Sequence, residues 1–444
     1  MNAFLQEVKD ALGRNDDFFV QRQTLLEQQV TIFGFATLVD VTSTLSIFIE
    51  QELSARASLM EADAFWHTLG TVEETNVRTA VSAIQQGCVI LYLVDRNRMI
   101  VVDAAQKELT RSIDLPSNEN ILQGPSSSFI EDIDTNIGLI RKQRSAASMR
   151  VRTFATGREQ RKKLTLIYDE VYAEPAMIRE MIGQIEDHSD MEINHIQHVS
   201  KLMGFPKWQA IPKWNTTELP QEAVSALLKG KVVLFVDRIP FALVLPNLLW
   251  DMFALDNDRN YSLPIMVIIR SIRLVGVLLT LLAPGFYVAL VAVNPEVLRI
   301  EMALSVAQSR EGVPYPAIVE MLIMLVILEL IIEASARLPK SIGPTLTMVG
   351  GIIIGQAVVT ARLVSNLLII ILAATTIANS TVVGFQNSLS IRMFKYVIVI
   401  LAALYGVLGI MAGMVLLSAY MASLRTFGVP YLNLSCKKGE MKHG

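Results

Sequence analysis

The feature that most constrains this chain is a change of composition near Pro264, where a charged half gives way to a series of long apolar segments. One polypeptide must therefore satisfy two kinds of solvent. Ahead of Pro264 no stretch of about 18 residues, the length that reads as a membrane span, is free of charge. The most apolar stretch there, Gly34 to Ile49, is interrupted by Asp40 and by Thr and Ser, so that half is expected to be soluble. Beyond it come Leu274 to Val293, Ala317 to Ala334, Thr345 to Val359, Leu363 to Val383 and Val397 to Met421. Each is near or above the length that crosses hydrocarbon, which places the second half in a bilayer.

With 444 residues, 52% of them hydrophobic and 18% charged, the chain is too apolar for an ordinary soluble enzyme and too charged to be membrane throughout. Two modules are the natural count. The net charge of -3 points to no particular soluble partner. Cys88 and Cys436 fall in different modules, so no disulfide framework is expected. Met1 to Gly13 lacks a basic start, an apolar core and a cleavage site, and the soluble half is expected to stay in the cytoplasm.

Orientation follows from the basic residues. Arg270 and Arg273 precede the first apolar segment, while Arg337 and Lys340 follow the second, and all four fit the cytoplasmic side. Five crossings would leave Arg392 and Lys395 inside but put Arg425, Lys437, Lys438 and Lys442 outside, against the charge rule. Four, five and six crossings all stay open.

The soluble half contains an internal repeat. Ala80-Val-Ser-Ala-Ile-Gln-Gln-Gly87 leads into Cys88-Val-Ile-Leu-Tyr, and Ala223-Val-Ser-Ala-Leu-Leu-Lys-Gly230 leads into Lys231-Val-Val-Leu-Phe. Both continue through Asp-Arg, at Asp95-Arg96 and Asp237-Arg238, to a second apolar run. Each copy predicts a helix closed by Gly, then a strand, a polar turn and a strand. Between the copies, Ile121 to Ile140, Leu164 to Tyr172 and Pro175 to Leu202 are predicted as helix, strand and helix. Gly204 to Pro220, with three prolines, is predicted as a linker.

The strongest charge anomaly is Arg141 to Lys163, which gathers Arg141, Lys142, Arg144, Arg150, Arg152, Arg158, Arg161, Lys162 and Lys163 against one acid, Glu159. Two readings are open. It is an interaction patch for anionic lipid or a neighbouring subunit, or it is a solvated face of a helix and a strand. Nucleic acid is excluded as a partner because no aromatics interleave with the bases. His188, Asp190, Glu192, His195 and His198 resemble a metal cluster but are read as an exposed polar surface, so no metal and no cofactor are expected. No phosphate loop, nucleophile elbow or acid/base pair appears, which argues against an enzyme.

Ionisable residues in the apolar half are few and each is costly there. Glu329, Glu333 and Arg337 follow one helical stripe. Either Glu329 and Glu333 form a carboxylate ring that attracts cations in an oligomer, or Glu333 pairs with Arg337 and Glu329 with a neighbouring helix. Gly350-Gly351-Ile-Ile-Ile-Gly355 and Gly409-Ile-Met-Ala-Gly413 are small-xxx-small patterns that let helices approach closely. The first, with Gln356, Thr347 and Thr360 nearby, suits a helix beside a water-filled path.

Taken together, these motifs resemble the A subunit of spore germinant receptors, the GerA family, collinearly from about Ala80 to Leu432. The resemblance rests on Gly124-Pro125, Phe129-Ile-Glu131, Thr135-Asn-Ile-Gly-Leu-Ile-Arg141, Leu227 to Gly230, Asp237 and Pro240-Phe241. In the apolar half it rests on Arg270, Arg273, Pro284 to Ala289, Arg310-Glu-Gly-Val-Pro-Tyr-Pro316, Glu320, Glu333 to Pro339, Gly350 to Gln356 and Ser390-Ile-Arg392. Departures at Ser126 to Ser128, Arg238, Ser335, Asn366 and Gly384 mark a diverged paralogue.

The resemblance implies a multi-pass protein of the bacterial spore inner membrane, with a polytopic nutrient-sensing B subunit and a lipoprotein C subunit as partners. It implies a homo-oligomeric ring acting as a nutrient-gated cation channel that starts germination. Gly350, Gly351, Gly355, Gln356, Val358, Glu329 and Glu333 are the candidates to line the path. Arg270, Arg273 and Arg337 are assigned to the membrane interface, and Arg141, Arg144, Arg158, Arg161 and Lys162 to an interaction patch. A substrate transporter and a non-conducting accessory or scaffold subunit are the alternatives.

The expected fold is an α/β cytosolic domain of two related subdomains followed by an α-helical multi-span membrane domain. The boundaries are 1–120 for the first subdomain, 121–263 for the second with its linker, 264–432 for the membrane domain and 433–444 for a polar tail.

Overall fold

The structure, a computed structural model, describes residues 3–58, 62–103, 105, 127–159, 161–206, 208–339, 342–434 and 436. The first sheet unit runs α1 (Ala3–Leu12), β1 (Phe18–Leu25), β2 (Gln28–Phe35), α2 (Val41–Ala57), α3 (Ala62–Leu69), β3 (Thr71–Glu74), α4 (Val77–Gln85), β4 (Val89–Leu93) and β5 (Arg98–Val102). The second runs α5 (Ile133–Gln143), β6 (Met149–Thr156), β7 (Lys162–Asp169), α6 (Pro175–Asp187), α7 (Ile196–Leu202), β8 (Asn215–Thr217), α8 (Pro220–Leu228), β9 (Val232–Val236) and β10 (Ala242–Leu245). The two units repeat the same order of elements throughout.

Their sheets repeat as well, with strand orders β1-β2-β4-β5-β3 and β6-β7-β9-β10-β8, every neighbour antiparallel. The duplicated sequence is thus the most similar part of a duplication of the whole unit. Gly87 and Gly230 close α4 and α8 at φ of 94° and 78°, left-handed values that a Cβ resists. The central strands β4 and β9 are buried along their full length, because apolar side chains of alternating direction meet helices on one or both faces. In the second unit Leu166 and Leu234 pack beneath α6 and α7, while Ile167 and Val233 pack beneath α5 and α8.

Three local expectations change. Pro175 to Leu202 is two helices, because the run from Ser189 to Asn194 breaks the pattern before α7. The proline-rich segment from Gly204 to Pro220 carries the edge strand β8, paired with β10. The helix placed from Ile121 starts at Ile133, where the Asp132 carboxylate accepts the Thr135 N–H, and positions 121–126 lie outside the described residues.

The apolar half forms α9 (Leu263–Val288, continued by a π-turn to Val293), α10 (Ile300–Ser309), α11 (Ala317–Arg337), α12 (Gly343–Thr360), α13 (Asn366–Asn379) and α14 (Phe385–Ser423). Of these, Leu263–Val293 and Phe385–Ser423 are the helices long and apolar enough by themselves to cross a membrane, among the described residues. α14 is two helices. At Gly406, with φ 60° and ψ -137°, the chain reverses. The rings of Phe394 and Tyr420 lie 5.8 Å apart, whereas 26 residues of straight helix would separate them by about 39 Å.

Contacts along the bundle set the direction of each helix. α9 leaves the second sheet unit at Arg273 and ends beside the Gly406 reversal, where Asn294 Oδ1 accepts the Val407 N–H at 3.1 Å. α11 begins beside Tyr287 through Glu320 and comes back to Arg392 through Glu329. α12 leads away to Arg362, and α13 returns from Ser365 to Asn379, which donates to Ser388 at 2.8 Å. The first half of α14 leads away again and the second returns. Its end continues into β11 (Arg425–Thr426) and β12 (Val429–Pro430), whose Phe427 and Val429 enter the core of the second sheet unit with Cys436. Tail and sheet units are therefore on one side of the bundle.

Candidate functional site

The junction between sheet units and helices is built from charges that flank the composition break. Asp258 stands in a 3-10 turn, Asp256–Asn260, and accepts the Leu255 N–H at 3.1 Å. Arg273, on the side of α9 that faces this turn, donates to both Asp258 oxygens at 2.6 and 2.9 Å, and Arg270 lies 3.4 Å away. Burial works against ionising Asp258, but Arg273 outweighs it and holds the carboxyl below its usual range. Beneath this turn Glu222 accepts the N–H groups of Asp256 and Asn257 at 3.1 and 3.3 Å. Burial, then the Asp256 carboxylate, pushes Glu222 up to about 7, against those bonds and Lys229.

Amides and hydroxyls complete the junction. Asn387 Nδ2 donates to Asn215 Oδ1, and Asn247 Nδ2 donates to Asn387 Oδ1, each at 3.1 Å. Ser390 Oγ donates to the Ala210 carbonyl at 2.6 Å, and the Ala210 N–H donates to Tyr420 Oη at 3.2 Å. Both halves of α14 are thereby tied to one loop of the second sheet unit. Around them Ile211, Met252, Phe253, Val277, Ile391 and Tyr431 form a buried apolar cluster.

Each acidic candidate of the helices has a cation, although the Glu333–Arg337 pair is exposed. Glu320 is fully buried, accepts the Ser365 N–H at 2.5 Å, and lies 3.3 Å from Tyr287 Oη and 3.4 Å from Arg310. Glu329 pairs with Arg392 of α14, one of its bonds measuring 3.1 Å. Glu333 pairs with Arg337 at 2.6 Å. An unpaired carboxylate would be costly in such surroundings, and these partners reduce that cost. They also offset the negative potential that a cation path would draw from Glu329 and Glu333.

α12 differs from its neighbours. Leu346, Met348, Ile352 and Ile353 are exposed, and a Cβ built on Gly350, Gly351 or Gly355 meets nothing within 4 Å. Gln356 is also exposed, and the Thr360 hydroxyl turns back to the Gln356 carbonyl. Val358, by contrast, is buried in the cluster with Tyr287, Met321 and Leu368. The helix packs chiefly along α11 and leaves its glycine-bearing part open.

The basic stretch is distributed differently from the expected patch. Arg141 is buried and donates to Asp17 of the first sheet unit at 2.8 Å, while Arg144 pairs with Asp169 at 2.5 Å. Arg150 pairs with Glu170 at 2.9 Å and donates to the Ala11 carbonyl, joining the two units. Arg158 pairs with Asp190 at 2.7 Å on the surface. Arg161 and Lys162 have no ion pair among the described residues. Arg141 and Arg150 thus form a seam between the sheet units, while Arg144 and Arg158 pair within the second. The rings of His195 and His198 lie 5.7 Å apart and tilted by 54°, and no group of residues suited to hold a metal occurs among the described residues.

Sequence reasoning missed Asp258, Glu222, the Asn215–Asn247–Asn387 set and Gly406. A signal was present for the first: Asp256 and Asp258 precede Arg270 and Arg273 across the break. The others depend on contacts between distant segments. The motif residues that carry the family resemblance prove to be structural joints: Asn136 brackets Ile130 with bonds of 2.9 and 2.6 Å, and Ser390 and Arg392 anchor α14.

The sequence is similar to those of known proteins over most of its length. The Spore germination protein A1 of Bacillus subtilis (strain 168) is 31% identical over 429 residues, covering 95% of this chain and 88% of that protein. Spore germination protein GerLA of Bacillus cereus is 28% identical over 436 residues, covering 96% of this chain and 88% of that one. The crystal structure of the N-terminal domain of the A subunit of the Bacillus megaterium spore germinant receptor GerK3 aligns at 18% identity and a TM-score of 0.40, covering 55% of this chain and 94% of that one. A family model, Bacillus/Clostridium GerA spore germination protein, matches residues 6–442, and the chain belongs to that family.

Proposed function

We propose that this protein is a membrane subunit of a spore germinant receptor, and that copies of it form a ring around a nutrient-gated cation path. Family membership supports the role in germination. Six passes through the bundle, with the tail returning to the sheet units, support a six-span protein whose two ends face the cytoplasm. On this reading Arg270 and Arg273 lie at the cytoplasmic boundary, and the tail charges that conflicted with five crossings come to the same side. A polytopic B subunit and a lipoprotein C subunit are its proposed partners.

The observation that carries the ring is α12. An apolar helix with an open, glycine-bearing stretch invites close approach by another helix, and its copies around an axis would line a path beside Gly350, Gly351, Gly355 and Gln356. Reconstitution with the partner subunits in liposomes tests this through nutrient-dependent potassium release. Gly351→Leu is expected to abolish the release, and a release that it leaves unchanged rejects the path.

A second reading, a non-conducting scaffold, draws support from the pairing of Glu329 with Arg392 and of Glu333 with Arg337. It predicts normal germination currents after deletion of this chain, with altered assembly of the complex.

A further inference from the structure

Two of the four tryptophans belong to buried cores, Trp66 at 2% and Trp214 at 7% exposure, but Trp208 is 98% exposed and Trp250 is 44% exposed. Both exposed indoles belong to segments that contact the junction with α14. Trp208 lies two residues before Ala210, the backbone group that holds Ser390 and Tyr420 of the two halves of α14. Trp250 lies two residues before Met252, whose carbonyl accepts the Val383 N–H just ahead of α14. Ile211 and Met252, close to each indole in sequence, enter the same buried cluster as Val277 and Ile391. Both indoles therefore ride on the second sheet unit where α9 and α14 meet it.

The helices beside this junction expose apolar side chains, from Leu263, Ile265 and Ile268 at the start of α9 onward. On the helix side the exposed residues are Leu278 and Leu279 of α9, Val397 and Ile400 of the first half of α14, and Val415 and Leu416 of the second. On the sheet side Arg259 is exposed and pairs with Asp256, which also holds the partly buried Lys229. An indole has a broad apolar body and one N–H donor, and it is most stable where hydrocarbon gives way to polar headgroups. The exposed apolar side chains of α9 and α14, the helices that meet both tryptophan-bearing segments, favour lipid as what covers the indoles.

We infer that Trp208 and Trp250 are headgroup-level anchors that seat the second sheet unit on the phospholipid surface. This inference rests on the membrane reading above. The anchors fix the distance between the sheet units and the bilayer, so that movement of these units is passed to α9 and α14 through the junction.

The test is quenching of tryptophan emission in the full chain, reconstituted in phosphatidylcholine vesicles whose acyl chains carry bromine either near the headgroup or near the chain end. The native chain is expected to be quenched more by the shallow bromines. Trp208→Phe combined with Trp250→Phe is expected to lose most of that shallow quenching. Adding Val415→Trp to this double variant reports the bundle itself and is expected to be quenched more by the deep bromines. Deep quenching at position 415 without shallow quenching of the native pair overturns the anchors and leaves the membrane reading standing, as when a second copy of the chain covers the indoles. Absence of quenching at all three positions overturns both.

Discussion

Asp258 and Arg273 close on each other through two charge-assisted bonds, 2.6 and 2.9 Å long, across the boundary between the second sheet unit and α9. The carboxylate is almost fully buried, so its charge depends on the guanidinium for compensation. Asp258→Ala is expected to lower stability by about 3–5 kcal/mol, because it leaves a half-buried cation without its partner. Arg273→Met should cost a similar amount. The double variant should recover part of the loss, which thermal unfolding of the detergent-solubilised chain in a double-mutant cycle will measure.

Glu222 makes the junction sensitive to pH. Its folded pKa, pushed up to about 7, exceeds the ordinary value of 4.5, so the folded state holds the proton more tightly than the unfolded one. The stabilisation is fully present below the ordinary value and is lost as pH rises through 7. Glu222→Gln keeps an acceptor for the Asp256 and Asn257 N–H groups while removing the charge. The variant should be more stable than the native chain at alkaline pH by about 1–3 kcal/mol, with a flatter pH dependence of unfolding. Equal pH profiles for the two proteins would sink this account.

Gly406 tests the hairpin within α14. A Cβ at this position would lie 1.8 Å from Asn294 Oδ1, and the backbone angles are ones that an L-residue avoids. Gly406→Ala is expected to cost at least about 2–3 kcal/mol from strain and displacement of Asn294. Gly350→Ala serves as contrast. It meets no neighbour within 4 Å, so the single chain should keep its stability, while the proposed ring assembly, followed by size-exclusion chromatography with light scattering, should weaken.

The basic stretch should divide in two. Arg141→Ala removes the partner of Asp17 and the contact of the guanidinium with the Phe35 ring, 3.7 Å to its centroid. A loss of about 3–5 kcal/mol is expected, with easier proteolysis between the sheet units. Arg161→Ala with Lys162→Ala should stay within about 0.5 kcal/mol in the same unfolding measurement, while weakening whatever anionic partner the surface has.

Much of this protein follows from its sequence. The change at Pro264 falls at the start of α9, where sheet units give way to apolar helices, because hydropathy is a local property. Gly87 and Gly230 exposed the duplication because each must close a helix in a conformation that favours glycine. The pairing of Glu333 with Arg337 was also visible, since four residues along a helix bring side chains together.

Tertiary structure decided the rest, because it depends on which distant segments meet. Arg141 and Arg150 read as surface charge in sequence, but the fold carries Asp17 and Ala11 to them. The return of the tail was equally hidden. Phe427 and Val429 follow an apolar helix and give no local sign of joining the core of the second sheet unit. Nor does a run of apolar residues record where a helix reverses: Gly406 became a turn only because Asn294, at the end of α9, occupies the space a side chain would need. Local chemistry set the elements, and long-range contacts set the side of the bundle on which each ends.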